Sequence, residues 1–335
     1  MKAFELQGYH LDALRLNERA VPQPGSQEVL IKVKAVSLNF RDALVVRGIL
    51  QPNLSLPAVP VSDGVGEVVA RGKAVKNIQI GDRVAGIFVQ EWLAGNLQPG
   101  MLQSTLGTPR TGMLQEYVVL PEAGVVRVPE HLSNVQAASL PIAGVTAWHA
   151  LMEADQVRPG EIVLIQGTGG VSLFALQFAV LAGAKVIITS RDQGKLAQAT
   201  YLGAATTINV REIPAWDQYV LDLTDGRGVD HVLDVGGTAT IERSLQAIRH
   251  NGHIHLVGAL GGMQAILDLP LLFNKNIRLQ AIQTGNRAMF EAMNRALSKH
   301  KLKPIVGRTF PFEQAPQAFQ ALFEGNTFGK IAIHL

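Results

Sequence analysis

The stretch IVLIQGTGGVSLFALQFAVLAGAKVIITSR, residues 162–191, decides how the rest of the chain is read. Four apolar residues (162–165) lead into Gly167, Gly169 and Gly170, a long apolar segment follows, and residues 186–189 are all β-branched. Strand, glycine turn, buried helix and second strand make one βαβ unit. Glycines at such a turn let the backbone approach a pyrophosphate, whose charge the free N–H groups of the helix N-terminus then bind. The stretch therefore predicts a dinucleotide site. The third glycine of G-x-G-x-x-G is replaced by Ser172, so helix and strand have to accommodate a hydroxyl where they come closest.

The residues after the second strand bear on which dinucleotide is bound. An acidic side chain there would hold the ribose 2′-hydroxyl of NAD. The sequence instead offers Ser190 and Arg191, with Lys195 close behind, and a guanidinium suits a 2′-phosphate because it presents paired N–H donors. NADPH is the expected cofactor, with Asp192 as the counter-argument: if it faces the ribose in place of Arg191, the preference reverses.

Working outward, 335 residues are long for a single core and fit two domains. Hydrophobic residues make up 47% and charged ones 17%, a globular composition, and a net charge of +3 without any lysine or arginine cluster argues against nucleic acid as a partner. The absence of cysteine excludes disulfides and thiolate metal sites and agrees with a cytoplasmic enzyme. The first residues lack the apolar core of a signal peptide, and the most apolar segment, 171–184, contains Ser172, Gln177 and Gly183 and is too short to span a bilayer. No membrane association is expected.

Residues 1–123 read as β-rich, with strands at 28–36, 63–70, 83–88 and 114–120 and glycines in the second suited to a bent barrel wall. Residues 133–153 open with a serine N-cap, and their helical spacing breaks near Pro141 and Gly144; this segment is expected at the domain junction, where it could line a cleft. Beyond the first βαβ unit, helices at 194–202, 216–223 and 240–249 alternate with strands at 206–210, 231–235, 253–257 and 277–282. That alternation predicts a doubly wound parallel sheet whose ligand lies beyond the C-terminal strand ends, placing Gly167, Arg191, Gly236 and Gly258 along one edge. Residues 287–335 are read as one amphipathic helix and a last strand that rejoin the first domain.

The ordered set GDRVAG (81–86), GVTAW (144–148), GTGGVS (167–172), DVGG (234–237) and GKIAI (329–333) resembles the zinc-independent branch of the medium-chain dehydrogenase/reductase family, the quinone oxidoreductases most closely. The resemblance spans nearly the whole chain. It implies an α/β protein with a GroES-like β-barrel catalytic domain (1–123 and 287–335), a Rossmann domain (124–286), and a homodimer. It also implies cofactor contacts at Thr146, Gly169, Gly170, Val171, Ser190, Arg191, Lys195, Gly258, Phe328 and Lys330, with Asn39 beside the nicotinamide. Tyrosines often found near the substrate and the adenosine fall on Leu44, Leu50 and Val210, which implies a more apolar substrate pocket.

Zinc alcohol dehydrogenases of this fold hold their metal with thiolates and a histidine, and the matching positions here are Asn39 or its neighbours, Ser62 and Ile142, which cannot build that site. Among the nine histidines only His250, His253 and His255 cluster, without a third ligand in register, and solvent-facing or hydrogen-bonded strand residues are expected. Reducing a simple ketone without a Lewis acid leaves an alkoxide unsupported, whereas a quinone or enone spreads the incoming charge by conjugation. The expected reaction is hydride transfer from NADPH to a quinone or α,β-unsaturated carbonyl. Asn39, Arg41, Asp42 and Gln283 are the candidates near the cleft, the first three as catalytic groups and Gln283 on the cofactor side. Two alternatives stand beside this reading. One is an enoyl-thioester reductase with Arg47, Arg110 and Arg287 at a basic entrance; the other is an NADPH-binding protein without turnover.

Overall fold

A computed structural model describes residues 1–335, and the chain divides into two compact units, Met1–Val145 with Gly285–Leu335, and Thr146–Thr284. The first unit opens with an antiparallel ribbon, β1 (Lys2–Leu6) and β2 (Leu14–Glu18). Its central strand is β3 (Glu28–Leu38), where the alternation seen in the sequence buries Val29, Ile31 and Val33 on one face. α1 (Phe40–Val46) follows directly. Strands β4 (Asp63–Arg71), β5 (Arg83–Gly86), β6 (Tyr117–Pro121) and β7 (Val125–Arg127) complete most of the barrel sheet. β4 pairs with β3 through two register shifts, and beside them a Cβ added at Gly66 would lie 2.3 Å from Lys32 O, so only glycine permits this approach. α2 (Asn134–Ala138) carries the expected serine cap, Gln136 N donating to Ser133 Oγ at 3.4 Å. Wide π-type turns at Leu140–Gly144 and His149–Ala154 account for the broken spacing around Pro141 and Gly144.

The change of unit expected at residue 124 falls after Val145 instead. The reason is local: β7 pairs antiparallel with β5, which ties residues 125–127 into the barrel sheet.

α3 (Val145–Trp148) leads into the second unit, where β8 (Ile162–Gln166), α4 (Gly170–Leu181) and β9 (Lys185–Ser190) form the βαβ unit read from the sequence. α4 is apolar almost all round because it is buried, with Leu173, Phe174, Leu176 and Phe178 at most 2% exposed. Then come α5 (Gln193–Tyr201), β10 (Thr206–Asn209), α6 (Trp216–Asp222), β11 (Val229–Asp234), α7 (Ile241–Ala247), β12 (Ile248–Leu256), α8 (Leu269–Lys275) and β13 (Arg278–Ala281). The sheet order β10-β9-β8-β11-β12-β13 is parallel throughout. The order reverses between β8 and β11, the switch point where doubly wound sheets bind ligands. The helix expected to run to residue 249 stops at Ala247, since β12 begins at Ile248 and kinks through Asn251 at φ 55°.

The tail is richer than expected. Besides α9 (Arg287–His300) and β15 (Lys330–His334) it contains β14 (Val306–Pro311) and α10 (Ala315–Glu324). β15 lies between β14, its parallel partner, and β3, to which it is antiparallel, so residues near the C-terminus close the barrel sheet of the first unit.

Candidate active site

In the second unit, the glycine turn is held by a polar hub that the sequence does not advertise. Asp234, at the end of β11 and wholly buried, accepts five hydrogen bonds: Oδ1 from Gly236 N, Gly237 N and Thr240 Oγ1, and Oδ2 from Gln166 Nε2 and Ser244 Oγ. Gln166, which ends β8, returns a bond by accepting from Val235 N at 3.2 Å. The ends of the two switch-point strands are thereby fixed to each other. Ser172 donates its hydroxyl to Gln166 O at 2.7 Å, which shows how a serine is tolerated where a third glycine was expected. Gly167 sits at φ 71°, and a Cβ built on Gly169 would meet nothing within 4 Å, so the face above the α4 N-terminus is open. The first N–H groups of α4, among them Gly170 and Val171, lack intrahelical acceptors and suit a pyrophosphate. This geometry fits a dinucleotide.

At the end of β9, Asp192 caps α5, its Oδ1 accepting from Lys195 N at 3.0 Å, and Ser190 Oγ accepts from Asp192 N at 3.2 Å. The Arg191 guanidinium is exposed and forms no ion pair. Thr146 is buried with an unpartnered hydroxyl, Gln283 is exposed beyond β13, and a Cβ on Gly258 would lie 3.0 Å from Val235 O.

In the first unit, the structure gathers Asn39, Arg41 and Asp42 with three residues far away in sequence, Ser62, Asp63 and Lys330. Lys330, 4% exposed, donates from Nζ to Leu38 O at 2.7 Å and to Asn39 Oδ1 at 2.6 Å. Asp42 accepts from Asn39 N at 2.8 Å through Oδ2, and from Ser62 Oγ at 3.4 Å through Oδ1, with Arg41 Nη1 3.7 Å away. Arg41 donates to Leu106 O and Thr108 O and lies over the Phe88 ring at 4.7 Å. Arg41 and Asp42, read from the sequence as candidate catalytic groups, are thus committed to internal bonds. Phe328, half-buried, belongs to the same unit.

Two cations and two carboxylates balance inside this cluster, and burial weakens each charged form. It pushes Asp63 up to about 7, against the pull of the Lys330 ammonium and the Asn39 amide, and it raises Asp42 against the pull of Arg41. It lowers Lys330 and Arg41, with the carboxylates opposing. Asp63 Oδ2 accepts from Ile142 N at 3.3 Å. Asn39 Nδ2 and Asp63 Oδ1 are both buried with no other partner, and the Asn39 amide, turned toward Asp63, helps to hold its charge.

A zinc ion does not fit these residues. Of the positions that would ligate it, Asn39 has its oxygen occupied by a buried ammonium, Ser62 donates to Asp42, and Ile142 has no donor atom. A dication would also have to share the pocket with Lys330 and Arg41. No group of three or more histidine, aspartate or glutamate side chains is arranged to hold a metal ion.

The histidines differ from their expected setting. His253 and His255 are at most 1% exposed rather than solvent-facing, and they are joined by His231 of β11 while His250 stays outside. The His253 and His255 rings stack at 4.1 Å, His231 Nδ1 lies 3.4 Å from His255 Nε2, and Glu161 and Asp155 pair with His231 and His253 at 3.1 and 3.0 Å. Burial, then the neighbouring imidazoles, hold His255 well below the usual histidine range; burial also lowers His253, against Asp155. A base depressed in the folded state stabilises the fold above its unfolded pKa of about 6.5 and loses that contribution as pH falls below it. Urea melts between pH 7 and 5 should show a loss of stability that shrinks in His255→Asn; an unchanged pH slope would refute the assignment.

With these features in view, the comparisons with known proteins agree. Residues 25–130 match the family described as alcohol dehydrogenase GroES-like domain, and residues 170–299 the family described as zinc-binding dehydrogenase. The chain belongs to the medium-chain dehydrogenase/reductase superfamily, a family of oxidoreductases that bind nicotinamide cofactors. A zinc-type alcohol dehydrogenase-like protein of Schizosaccharomyces pombe is 38% identical over 340 residues, covering 99% of this chain and 97% of that one. Among solved structures, an NAD-dependent alcohol dehydrogenase superposes with a TM-score of 0.92 at 33% identity, both chains covered in full. A quinone oxidoreductase of Pseudomonas syringae gives 0.83 at 29%, covering 100% of this chain and 99% of that one.

Proposed function

We propose that the protein transfers hydride from NADPH to a quinone or an α,β-unsaturated carbonyl without a metal. The observation that carries this reading is the Lys330–Asn39 bond, in which a buried ammonium engages the Asn39 oxygen and so keeps it from serving a zinc ion. Conjugated acceptors suit such a site because their own π system takes up the incoming charge. Phe40, which follows Asn39, and Ile49 and Leu50 beyond the end of α1 are large apolar side chains left 45%, 55% and 42% exposed, which suits an apolar acceptor. The preference for NADPH rests on Asp192, whose Oδ1 is used as a helix cap, and on the exposed, unpaired Arg191 beside it. The enoyl-thioester alternative is disfavoured because Arg110 and Arg287 pair with Glu91 and Glu291, while Arg47 stacks on Phe323.

A panel of quinones, enones, aldehydes and CoA esters, each run with NADPH and with NADH, tests both halves of the proposal. Arg191→Ala should raise the NADPH Michaelis constant roughly tenfold to a hundredfold, as expected for a lost charge-assisted phosphate contact, and leave NADH little changed. Equal effects on both cofactors would refute the phosphate contact. The homodimer belongs to the same proposal. β13 is an edge strand, and Leu260, Met263, Ile266, Leu269 and Phe273 are exposed apolar residues of the second unit, with Ile266 at 98%. No helix is long and apolar enough to cross a membrane, and the cysteine-free composition suits the proposed cytoplasmic setting.

A further inference from the structure

The second unit has a recess of about 170 Å³, well beyond the roughly 10–15 Å³ that one water needs. Asp155, Arg158 and Glu161 line it from the segment before β8, His231 from β11, Arg249 and His253 from β12, and Arg278 from the first position of β13. These strands are parallel, so the recess lies toward their amino ends, whereas Gly167 follows the carboxyl end of β8. The acceptors here are engaged. Glu161 Oε2 accepts from Arg158 N at 2.7 Å and lies 3.1 Å from His231 Nε2, while Asp155 Oδ2 lies 3.0 Å from His253 Nδ1. The donors are less fully used. Arg158 is exposed and forms no ion pair, and Arg278 Nη1 stands 3.8 Å from Asp155 Oδ1, too far for a hydrogen bond. Arg249 uses Nε on Asp230 and Nη1 on His250 O but keeps Nη2.

We infer that this recess binds a tetrahedral oxyanion, a phosphate group in chemical class, through Arg158, Arg278 and the free end of Arg249. Three guanidiniums face two carboxylates there, and Asp230 behind Arg249 is already matched by Arg227, which donates to it through Nη1 and Nη2. With neutral imidazoles the recess therefore holds one more positive than negative group. It also holds N–H donors with no acceptor assigned. A guanidinium offers its donors in a planar fork that fits two oxygens of a phosphate, and forks from three separate segments reach such an anion from different directions. An anion among them would offset the mutual repulsion of the arginines. It would also tie the segment before β8 to β12 and β13, so its binding should stabilise the second unit. The site stands apart from hydride transfer, because the nucleotide edge is at the other end of the sheet.

The test titrates inorganic phosphate, and glycerol 3-phosphate in parallel, into protein saturated with whichever of NAD and NADP it binds more tightly, so that the glycine turn is already filled. Chloride at matched ionic strength is the control. Calorimetry should show saturable binding of about one equivalent, with a dissociation constant on the order of 1 mM. Arg158→Gln and Arg278→Gln, each at an exposed side chain, should weaken it roughly tenfold or more and leave dinucleotide affinity unchanged. Lys299→Gln, which removes an exposed cation of the first unit, should leave phosphate binding unchanged. If Arg278→Gln fails to fold, Arg158→Gln decides the matter. Heats no larger than those of chloride, or equal affinity in the wild type and the arginine variants, would overturn the inference. So would an equal loss in Lys299→Gln, which marks a general attraction to a basic protein. Tighter binding of the ester supports a phosphorylated metabolite as occupant, and tighter binding of inorganic phosphate supports the free ion. None of these readouts involves the hydride acceptor, so failure of the quinone or enone reading would leave them standing.

Discussion

Gly169→Ala is expected to leave the fold intact and to weaken binding of the nicotinamide dinucleotide by about tenfold or more, close to 1.4 kcal/mol. Gly169 has φ −80° and ψ −175°, extended backbone open to any residue, and a Cβ there meets nothing within 4 Å. The gain from a less free unfolded chain, about 0.5 kcal/mol, is offset by the poorer fit of alanine at the α4 N-cap, so stability should change little. The same methyl group stands over the N-terminus of α4, where a pyrophosphate has to approach the backbone closely. Calorimetric titration with NADPH, paired with thermal melting, separates the two effects. Unchanged affinity in a normally stable variant would mean that the pyrophosphate lies elsewhere. Gly167 offers the contrast: at φ 71° a side chain is strained, so Gly167→Ala should lose stability as well as binding.

Asp234→Ala should be the most damaging single change to the second unit. It strips the acceptor from two backbone N–H groups and from Thr240, Ser244 and Gln166 in a fully buried site. Each buried donor left unpaired costs about 1–3 kcal/mol, and allowing for partial repair the loss should reach roughly 4 kcal/mol. That is a large part of the roughly 5–15 kcal/mol by which a folded protein is typically stable. Asp234→Asn retains the shape but turns one acceptor into a donor facing other donors, so it should fall between wild type and Asp234→Ala. The measurement is the urea midpoint at constant m-value; a shift under about 1 kcal/mol for the alanine variant would show that the hub is dispensable.

The sequence carried the βαβ unit because its information is local. Apolar periodicity, glycines at the turn and β-branched residues in the next strand lie within residues 162–191, and β8, α4 and β9 follow them. The hub and the charge cluster were not legible for the opposite reason. Asp234 reads as a strand residue of the DVGG motif until Gln166, 68 positions earlier, is seen donating to it. Lys330 reads as a cofactor contact until its ammonium is found bonded to Asn39, 291 positions away. His231 joins His255 only through the pairing of β11 with β12. The missed helix α10 did carry a local signal: it has a proline within its first two positions, where a helix tolerates one, and buries Ala318, Phe319 and Ala321.

The place of β15 has a consequence for biosynthesis. Ser37 of β3 meets Ile331 of β15 across 294 positions, while every strand of the six-stranded sheet lies between residues 162 and 281. The inserted unit therefore leaves the ribosome whole while its host still lacks β14 and β15. The nascent barrel keeps an open edge until β15 has emerged, so a chain stopped before residue 330 would carry a finished nucleotide fold and an Asn39 without its lysine.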